Sequence, residues 1–344
     1  MRNLLFWLSR KINHPLTCPQ VMQVSLTYRC NLRCKMCNIA GLLPEEEELS
    51  TAQVERAIDE AKKYGIKEII FTGGEPFLRG DIFRLCGYAA RNNLRSIITT
   101  NGVLIDDGLA ESIASSEAGH IHFSLDGLED SNDFFRGSGT FNKITRAIQL
   151  LLAKRTKGRF FSVGIALTVM EKNVRELSAI TEFADNLGVD VINFQPLVKN
   201  NANFIDHSLP EFWVKDDSLA ILEKEIAKIR KFKPRHISVF EEPHLELLVK
   251  YYQGRLNAKD WVCFGGFKTV FICYEKNKPL IYSCHGICGD LDRVSLKKAW
   301  SSKEARALRE HSKKCRNLCM QSCYSFESAQ SLRGLANSLA RKFK

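Results

Sequence analysis

The chain has 344 residues, 44% hydrophobic and 26% charged, which is typical of a globular protein with room for one large domain and a smaller one. No apolar run reaches the roughly 18 residues of a membrane-spanning helix. The net charge of +11 is spread along the chain without a nucleic-acid motif, so an acidic substrate or an anionic surface remains open. With no secretory signal visible, we expect a cytoplasmic protein whose twelve cysteines bind metal or stay reduced.

Both ends of the chain, residues 1–19 and 326–344, carry basic amphipathic patterns that predict helices. Near the start, Leu4, Leu5 and Leu8 share one helical face, and arginine and lysine flank it. Such segments bind membrane surfaces, but they equally cap a barrel or dock on a partner. Peripheral membrane contact is therefore one alternative for these ends.

Short β patterns alternate with helical patterns between about residues 20 and 200, which predicts a parallel sheet of βα units. The predicted strands cover residues 21–27, 68–72, 96–99, 120–125, 162–168 and 191–194. The predicted helices cover residues 51–64, 81–92, 107–115, 141–155 and 174–187. A complete TIM barrel has eight strands, so the pattern leaves a partial barrel and a doubly wound sheet open. Beyond a helix at 217–232, cysteines dominate, and we place a domain boundary between residues 235 and 260.

Three cysteines, Cys30, Cys34 and Cys37, follow the first predicted strand with the spacing C-x3-C-x2-C. Iron–sulfur clusters are normally held by four thiolates. Three thiolates hold three irons of a [4Fe–4S] cube and leave the fourth iron open to a small ligand, as in a catalytic metal site. A zinc knuckle or an unligated group of thiols is the alternative interpretation of this loop alone.

Polar and glycine residues stand at the ends of the following strands, where βα barrels keep their active sites. The second strand ends in Thr72-Gly-Gly-Glu-Pro76, in which the glycines permit a close backbone approach and Glu75 offers a carboxylate to an ammonium group. At the end of the fourth strand, Ser124 and Asp126 alternate and so point to one face, where they offer a hydroxyl and a carboxylate. Ordinary Asp-Gly turn chemistry at a strand end is the alternative interpretation.

The cysteine loop and the Gly-Gly-Glu-Pro segment together resemble the signature of the radical S-adenosylmethionine (SAM) enzymes. The resemblance implies a partial (β/α)6 TIM-like barrel over residues 20–235, with a [4Fe–4S] cluster and SAM as cofactors. In this family the open iron chelates SAM, and an electron from the cluster yields a 5′-deoxyadenosyl radical. The positions that match the family's SAM-binding residues are Met36, Gly73, Gly74, Glu75, Pro76, Ser124, Asp126 and Arg136. Met36 stands where the family often has an aromatic residue. The resemblance implies that Arg136 pairs with the SAM carboxylate, and an arginine that only orders its loop is the alternative.

Residues 236–325 resemble the SPASM and twitch extensions of the same family, which carry auxiliary [4Fe–4S] clusters. Two features depart from the full pattern: Pro279 replaces a usual glycine, and the last run has only three cysteines. We therefore expect one auxiliary cluster. The first choice of ligands is Cys263, Cys284, Cys319 and Cys323, with Cys315 an equal competitor for the third place. Cys273 and Cys288 are expected to be buried thiols.

The leading hypothesis for function is a radical SAM enzyme that abstracts hydrogen from an unactivated carbon of a peptide or protein. A carbohydrate or lipid-linked precursor is the second substrate class, and a reductase or flavodoxin-type protein is the expected electron donor. An iron–sulfur electron-transfer protein is the hypothesis from outside the enzymes. The open iron opposes it, because an electron carrier would use a fourth protein ligand.

Overall fold

A ten-stranded sheet forms the centre of the protein. The computed structural model describes residues 2–37, 39, 48–155, 161–198, 200–201, 205–206, 209–240, 245–316 and 318–320. The described strands are β1 (Val21–Thr27), β2 (Glu68–Gly73), β3 (Arg95–Thr100), β4 (Ala118–Ser124), β5 (Ser162–Val169), β6 (Val191–Pro196), β7 (Asn200–Asn201), β8 (Ile205–Asp206), β9 (Ser238–Phe240), β10 (Thr269–Glu275), β11 (Lys278–Ser283) and β12 (Gly286–Asp290). All of these strands except β7 and β8, which pair with each other, belong to the ten-stranded sheet. Its helices are α1 (Arg2–Ile12), α2 (Thr51–Tyr64), α3 (Ile82–Arg91), α4 (Asp107–Ser115), α5 (Glu129–Arg136), α6 (Thr140–Ala153), α7 (Leu177–Leu187), α8 (Asp216–Lys231), α9 (Leu247–Tyr252), α10 (Leu296–Trp300) and α11 (Lys303–Lys314).

The six predicted strands form the middle of this sheet. Strands β1 to β6 lie side by side in chain order, and each pairs with the next in parallel. Helices connect them, as successive βα units require. The predicted partial (β/α)6 TIM-like barrel is confirmed, and so is the start of α2, where Ser50 and Gln53 form a reciprocal capping box.

The sheet extends beyond the predicted strands at both edges. Strand β9 pairs in parallel with β6, and β10 pairs in parallel with β1 through Val21 and Thr269. The antiparallel hairpin β10–β11 and strand β12 complete the second edge. The cysteine-rich region therefore shares the barrel's sheet. Strand pairing between β1 and β10 crosses the predicted domain boundary between residues 235 and 260. The division into two domains there stays a prediction.

The two faces of the central strands have different environments. Side chains such as Val24, Leu26, Ile69 and Phe71 are fully buried in the core beneath the helices. The opposite face looks into the barrel, and many of its side chains stay partly accessible: Gln23, Ile70, Thr72, Ile97, Thr99, His122, Ser124, Ala166, Thr168 and Gln195. The barrel therefore has an open interior on the side away from the helices.

Helix α1 docks on the cysteine-rich region. Phe6 is fully buried and packs with Phe264 and Phe267, while the Arg10 Nε donates to the Cys263 carbonyl over 2.8 Å. The sequence pattern placed Leu4, Leu5 and Leu8 on the apolar face, but Phe6 and Ser9 are the residues that this helix buries. For the N-terminal segment the structure thus agrees with the docking alternative. Membrane contact and the predicted helix at 326–344 are untested, and 326–344 lies outside the described residues.

None of the helices in the described ranges is long and apolar enough to cross a membrane.

Candidate active site

A cavity of about 220 Å³ lies at the carboxyl ends of β1 to β4. The predicted site residues that line it are Cys30, Cys34, Met36, Cys37, Gly73, Gly74, Ser124 and Arg136. Leu32, Ile39, Thr72, Thr99, Thr100 and Asn101 complete its wall. Three other predicted residues, Glu75, Pro76 and Asp126, are buried and do not line the cavity. The three cysteines thus share one cavity with the ends of strands β2, β3 and β4.

The glycine pair after β2 permits a close approach of the cysteine loop to the sheet. A Cβ on Gly73 would lie 2.3 Å from the Thr27 carbonyl oxygen, and one on Gly74 would lie 2.0 Å from that of Arg29. The Gly74 N–H donates to Thr27 O over 2.7 Å, and the Glu75 N–H donates to Arg29 O over 2.9 Å. We expected the glycines to make room for a ligand, and the structure adds a second reason for them, since they also make room for the chain that leads into Cys30.

The thiols of the loop are suited to a metal cluster. Burial raises the pKa of Cys30, and it raises the pKa of Cys34 to about 11 although Arg136 acts in the opposite direction. Both thiols are protonated without metal, so cluster binding releases protons. In the described part of the chain, no three Cys, His, Asp or Glu side chains converge on a single ion. A cube instead takes each cysteine on a separate iron, so the open arrangement of Cys30, Cys34 and Cys37 around a cavity fits this group.

Glu75 joins the ends of β2 and β3. One carboxylate oxygen accepts from the Phe77 N–H over 3.1 Å and the Thr100 hydroxyl over 2.8 Å, and the other accepts from the Asn101 N–H over 2.8 Å. Burial raises the pKa of Glu75, against the effect of these three donors. A carboxylate has about four acceptor sites. The side chain therefore has capacity for one more donor, and its binding to a SAM ammonium group stays a prediction.

Asp126 and Arg136 form a buried ion pair at the wall of the cavity, which Arg136 lines and Asp126 does not. The Arg136 Nε and Nη2 lie 2.8 and 2.6 Å from the same Asp126 oxygen, and the Thr168 N–H donates to the other oxygen over 2.8 Å. Burial alone would lower the pKa of Arg136, but Asp126 together with Cys34 and Cys37 outweighs burial, and the pKa is raised. Both residues were expected to contact SAM. Their nearest partners are each other, because α5 carries Arg136 back to the end of β4.

Asn101 belongs to this site although we did not predict it. It follows β3 directly, is 7% exposed, and places its amide nitrogen 3.8 Å from the Cys30 sulfur. Its sequence context, Thr99-Thr-Asn-Gly102, has the same pattern of polar residues at a strand end that identified the segments after β2 and β4. That pattern was the signal that could have found it.

A second group of cysteines surrounds the hairpin. Cys263, Cys284 and Cys319 all contact an apolar cluster formed by Phe271, Cys273, Leu280 and Tyr282. Burial and, to a smaller extent, the nearby Cys315 raise the pKa of Cys263 to about 11. Cys323 lies outside the described residues. The predicted auxiliary ligands that the structure describes are therefore neighbours, and their binding of a cluster stays a prediction.

The remaining two cysteines of this region have other partners. Cys273 is buried against the Ser25 hydroxyl, 3.7 Å away, and Cys288 is buried beside Ser283. Both are buried thiols, as expected.

The structure thus brings three closely spaced cysteines and a Gly-Gly-Glu turn together around one cavity at the strand ends of an open βα barrel. Residues 24–184 match the family model described as the radical SAM superfamily. This match covers a little under half of the chain and identifies a radical SAM domain within it.

Two curated relatives illustrate the sequence similarity. The chain is 35% identical over 176 residues to the Fe-coproporphyrin III synthase of Methanosarcina barkeri, which covers 51% of this chain and 43% of that protein. It is 33% identical over 182 residues to the mycofactocin maturase MftC of Mycobacterium ulcerans, covering 53% of this chain and 48% of that protein. The chain therefore spans less than half the length of these relatives.

Solved structures extend the likeness of fold to most of the chain. Streptococcus suis SuiB bound to S-adenosylmethionine aligns with a TM-score of 0.67 at 16% identity, covering 88% of this chain and 70% of that chain. The anSMEcpe structure with bound AdoMet aligns with a TM-score of 0.64 at 17% identity, covering 94% and 96%. These likenesses confirm the fold.

Proposed function

We propose that this protein binds a [4Fe–4S] cluster through Cys30, Cys34 and Cys37 and holds SAM in the adjoining cavity. The observation that carries the proposal is the meeting of the three cysteines and the Gly-Gly-Glu turn around one cavity of about 220 Å³. When bound, the cluster and SAM would supply a 5′-deoxyadenosyl radical for hydrogen abstraction. The chain's own task is to hold, orient and shield these groups.

The residues of the cavity wall suit that task. Met36 and Ser124 face the cavity from the cysteine loop and from the end of β4, where they are proposed to contact adenine and ribose. Arg136 lines the cavity while its guanidinium pairs with Asp126, so a carboxylate of the ligand would meet a cation that Asp126 holds in place. Pro76 begins the short helical turn that carries the backbone N–H of Phe77 to Glu75.

The direct test measures SAM cleavage. We expect the anaerobically reconstituted protein, reduced by dithionite, to convert SAM to 5′-deoxyadenosine, which chromatography quantifies. A flavodoxin-type protein or a reductase is the proposed donor in the cell. A protein that contains iron and sulfide but forms no 5′-deoxyadenosine would support the electron-transfer alternative, and zinc without sulfide would support the zinc alternative.

Glu75 is proposed to hold the SAM ammonium group. A charge-assisted hydrogen bond of this kind contributes about 1.5–3 kcal/mol. Glu75→Gln is expected to weaken SAM binding about tenfold or more, since about 1.4 kcal/mol is a factor of ten. Equilibrium dialysis with labelled SAM measures the change. Thr100→Val is the matched control, because it removes one hydrogen bond of Glu75 and keeps the charge. Equal SAM affinity in Glu75→Gln and wild type would exclude this role.

A peptide or protein is the substrate class that we propose first. Its support is the similarity to a mycofactocin maturase together with the open barrel interior. In that interior, the His122 Nε2 and the Asn193 Oδ1 are buried without a partner among the described residues. Burial lowers the pKa of His122, so its ring is neutral, and a bond to the Ile165 backbone leaves Nε2 as an acceptor. Two neutral acceptors match N–H donors of a substrate, such as peptide amides.

An iron porphyrin is the second candidate. The similarity to an Fe-coproporphyrin III synthase favours it, and the net charge of +11 suits a substrate with several carboxylates. The two candidates are separated by incubating the reduced protein and SAM with iron coproporphyrin or with a peptide encoded beside its gene. Only the true substrate class is expected to change in mass and to increase 5′-deoxyadenosine formation. The carbohydrate or lipid-linked class gains no support from the relatives named above.

One auxiliary [4Fe–4S] cluster is proposed on Cys263, Cys284, Cys319 and Cys323, with Cys315 as the competitor for the third position. The fully reconstituted protein is then expected to hold about eight irons per chain. Cys263→Ala is expected to lose about four of them and to destabilise the region, because cluster binding and folding are coupled. Cys273→Ala and Cys288→Ala are the controls and should lose none. About four irons in the wild type would contradict the auxiliary cluster, and about twelve would indicate a further one.

A further inference from the structure

Asn101 connects three parts of the site. Its backbone N–H donates to Glu75 over 2.8 Å, which ties it to the turn after β2. Its side-chain nitrogen donates to the Asn31 side-chain oxygen over 2.7 Å and lies 3.8 Å from the Cys30 sulfur, which ties it to the cysteine loop. The Asn101 side chain therefore connects the end of β3 to Cys30, one of the three proposed cluster ligands.

The orientation of the Asn101 amide is fixed by its other end. The Val103 N–H donates to the Asn101 Oδ1 over 3.0 Å. Because Oδ1 accepts from this backbone group, the NH2 end must face the cysteine loop. The Cys30 sulfur thus meets a hydrogen-bond donor, and the donor is neutral.

Glu75 in turn fixes the position of Asn101. The carboxylate holds the Asn101 backbone and the Thr100 hydroxyl together, and that hydroxyl accepts from the Gly102 N–H over 2.9 Å. All of these groups are buried or nearly so. The donor at Cys30 is therefore preorganised before any cluster binds.

We propose that Asn101 is a positioning residue that donates an N–H···S hydrogen bond to the Cys30 thiolate and raises the reduction potential of the catalytic cluster. The inference rests on the cluster proposed above for Cys30, Cys34 and Cys37. One-electron reduction makes the cluster and its thiolates more negative, so a donor to sulfur stabilises the reduced form more than the oxidised form. The electron comes from an external reductant, dithionite in the experiment, and no proton is transferred.

The test is a redox titration with dithionite, followed by electron paramagnetic resonance on reconstituted protein without SAM. The signal of the catalytic cluster is the one that a Cys30/Cys34/Cys37→Ala triple variant lacks. Asn101→Ala is expected to make reduction of this cluster about tenfold less favourable, which is a fall of about 59 mV for one electron. Asn101→Asp keeps the shape and the acceptor for Val103 but loses the donor and adds charge, so its potential is expected to fall further.

Asn31→Ala is the matched control, because it removes the other acceptor of the same amide and leaves Cys30 intact. Its potential is expected to stay at the wild-type value. An unchanged potential in both Asn101 variants, or an equal fall in Asn31→Ala, would overturn the proposal. If the catalytic signal is absent from the wild type, the cluster assignment itself has failed, which is a different result. If Asn101→Ala does not fold, Asn101→Asp still decides the question.

Discussion

Replacing Cys30, Cys34 and Cys37 together with alanine is expected to remove about four irons per chain and to reduce 5′-deoxyadenosine formation to background. The reason is that the three thiols line one cavity, so no cube can be retained there without them. Iron analysis and the chromatographic assay measure the two effects on the same sample. The auxiliary iron is expected to remain, because Cys263 and Cys284 lie in the other cysteine group.

The control for this experiment is a cysteine outside both groups. Cys18 is partly buried and accepts a hydrogen bond from Arg2, away from the cavity. Cys18→Ala should keep the full iron content and the full rate of 5′-deoxyadenosine formation. Persisting SAM cleavage in the triple variant would falsify the assignment of the catalytic cluster.

Asp126→Ala is expected to lower the free energy of unfolding by about 3–5 kcal/mol, because it leaves the buried Arg136 guanidinium without its anion. In the ion pair the Arg136 and Asp126 side chains are only 10% and 0% exposed. The Thr168 N–H also loses its acceptor. Urea unfolding followed by circular dichroism under anaerobic conditions measures the change.

Two comparisons separate this effect from ordinary loss of a contact. Glu111→Ala breaks the surface ion pair with Lys154, in which the Glu111 side chain is 65% exposed. This change should lower the free energy of unfolding by less than about 1 kcal/mol. The double variant Asp126→Ala/Arg136→Met removes both charges and should recover a large part of the lost stability. If Asp126→Ala lowers the free energy of unfolding no more than Glu111→Ala does, the Asp126–Arg136 ion pair contributes little to stability.

The repeating part of the fold was predictable from local patterns. Strand β1 and helix α2 were predicted with the bounds that the structure has, because alternating apolar residues and the Ser50–Gln53 cap are signals within a few residues. Strand β10 was not placed in the barrel, since its partner β1 lies far earlier in the chain. No local pattern records such a pairing.

The site was predictable as a set of residue types and less so as a set of contacts. The cysteine spacing and the glycine pair identified the cavity. Two of the three hydrogen bonds that Glu75 accepts come from Thr100 and Asn101, which only the adjacency of β2 and β3 supplies. The Asp126–Arg136 pair depends on α5, an eight-residue helix that we did not predict.

The pairing of β1 with β10 has a consequence for synthesis on the ribosome. Val21 pairs with Thr269, and Phe6 packs against Phe264 and Phe267, so both contacts wait until most of the chain has emerged. At about 5–20 residues per second, that delay is roughly tens of seconds. During this time β1 presents an unpaired edge and α1 an uncovered aromatic side chain, two features that favour aggregation. The nascent barrel therefore depends on its last third for protection of its first strand.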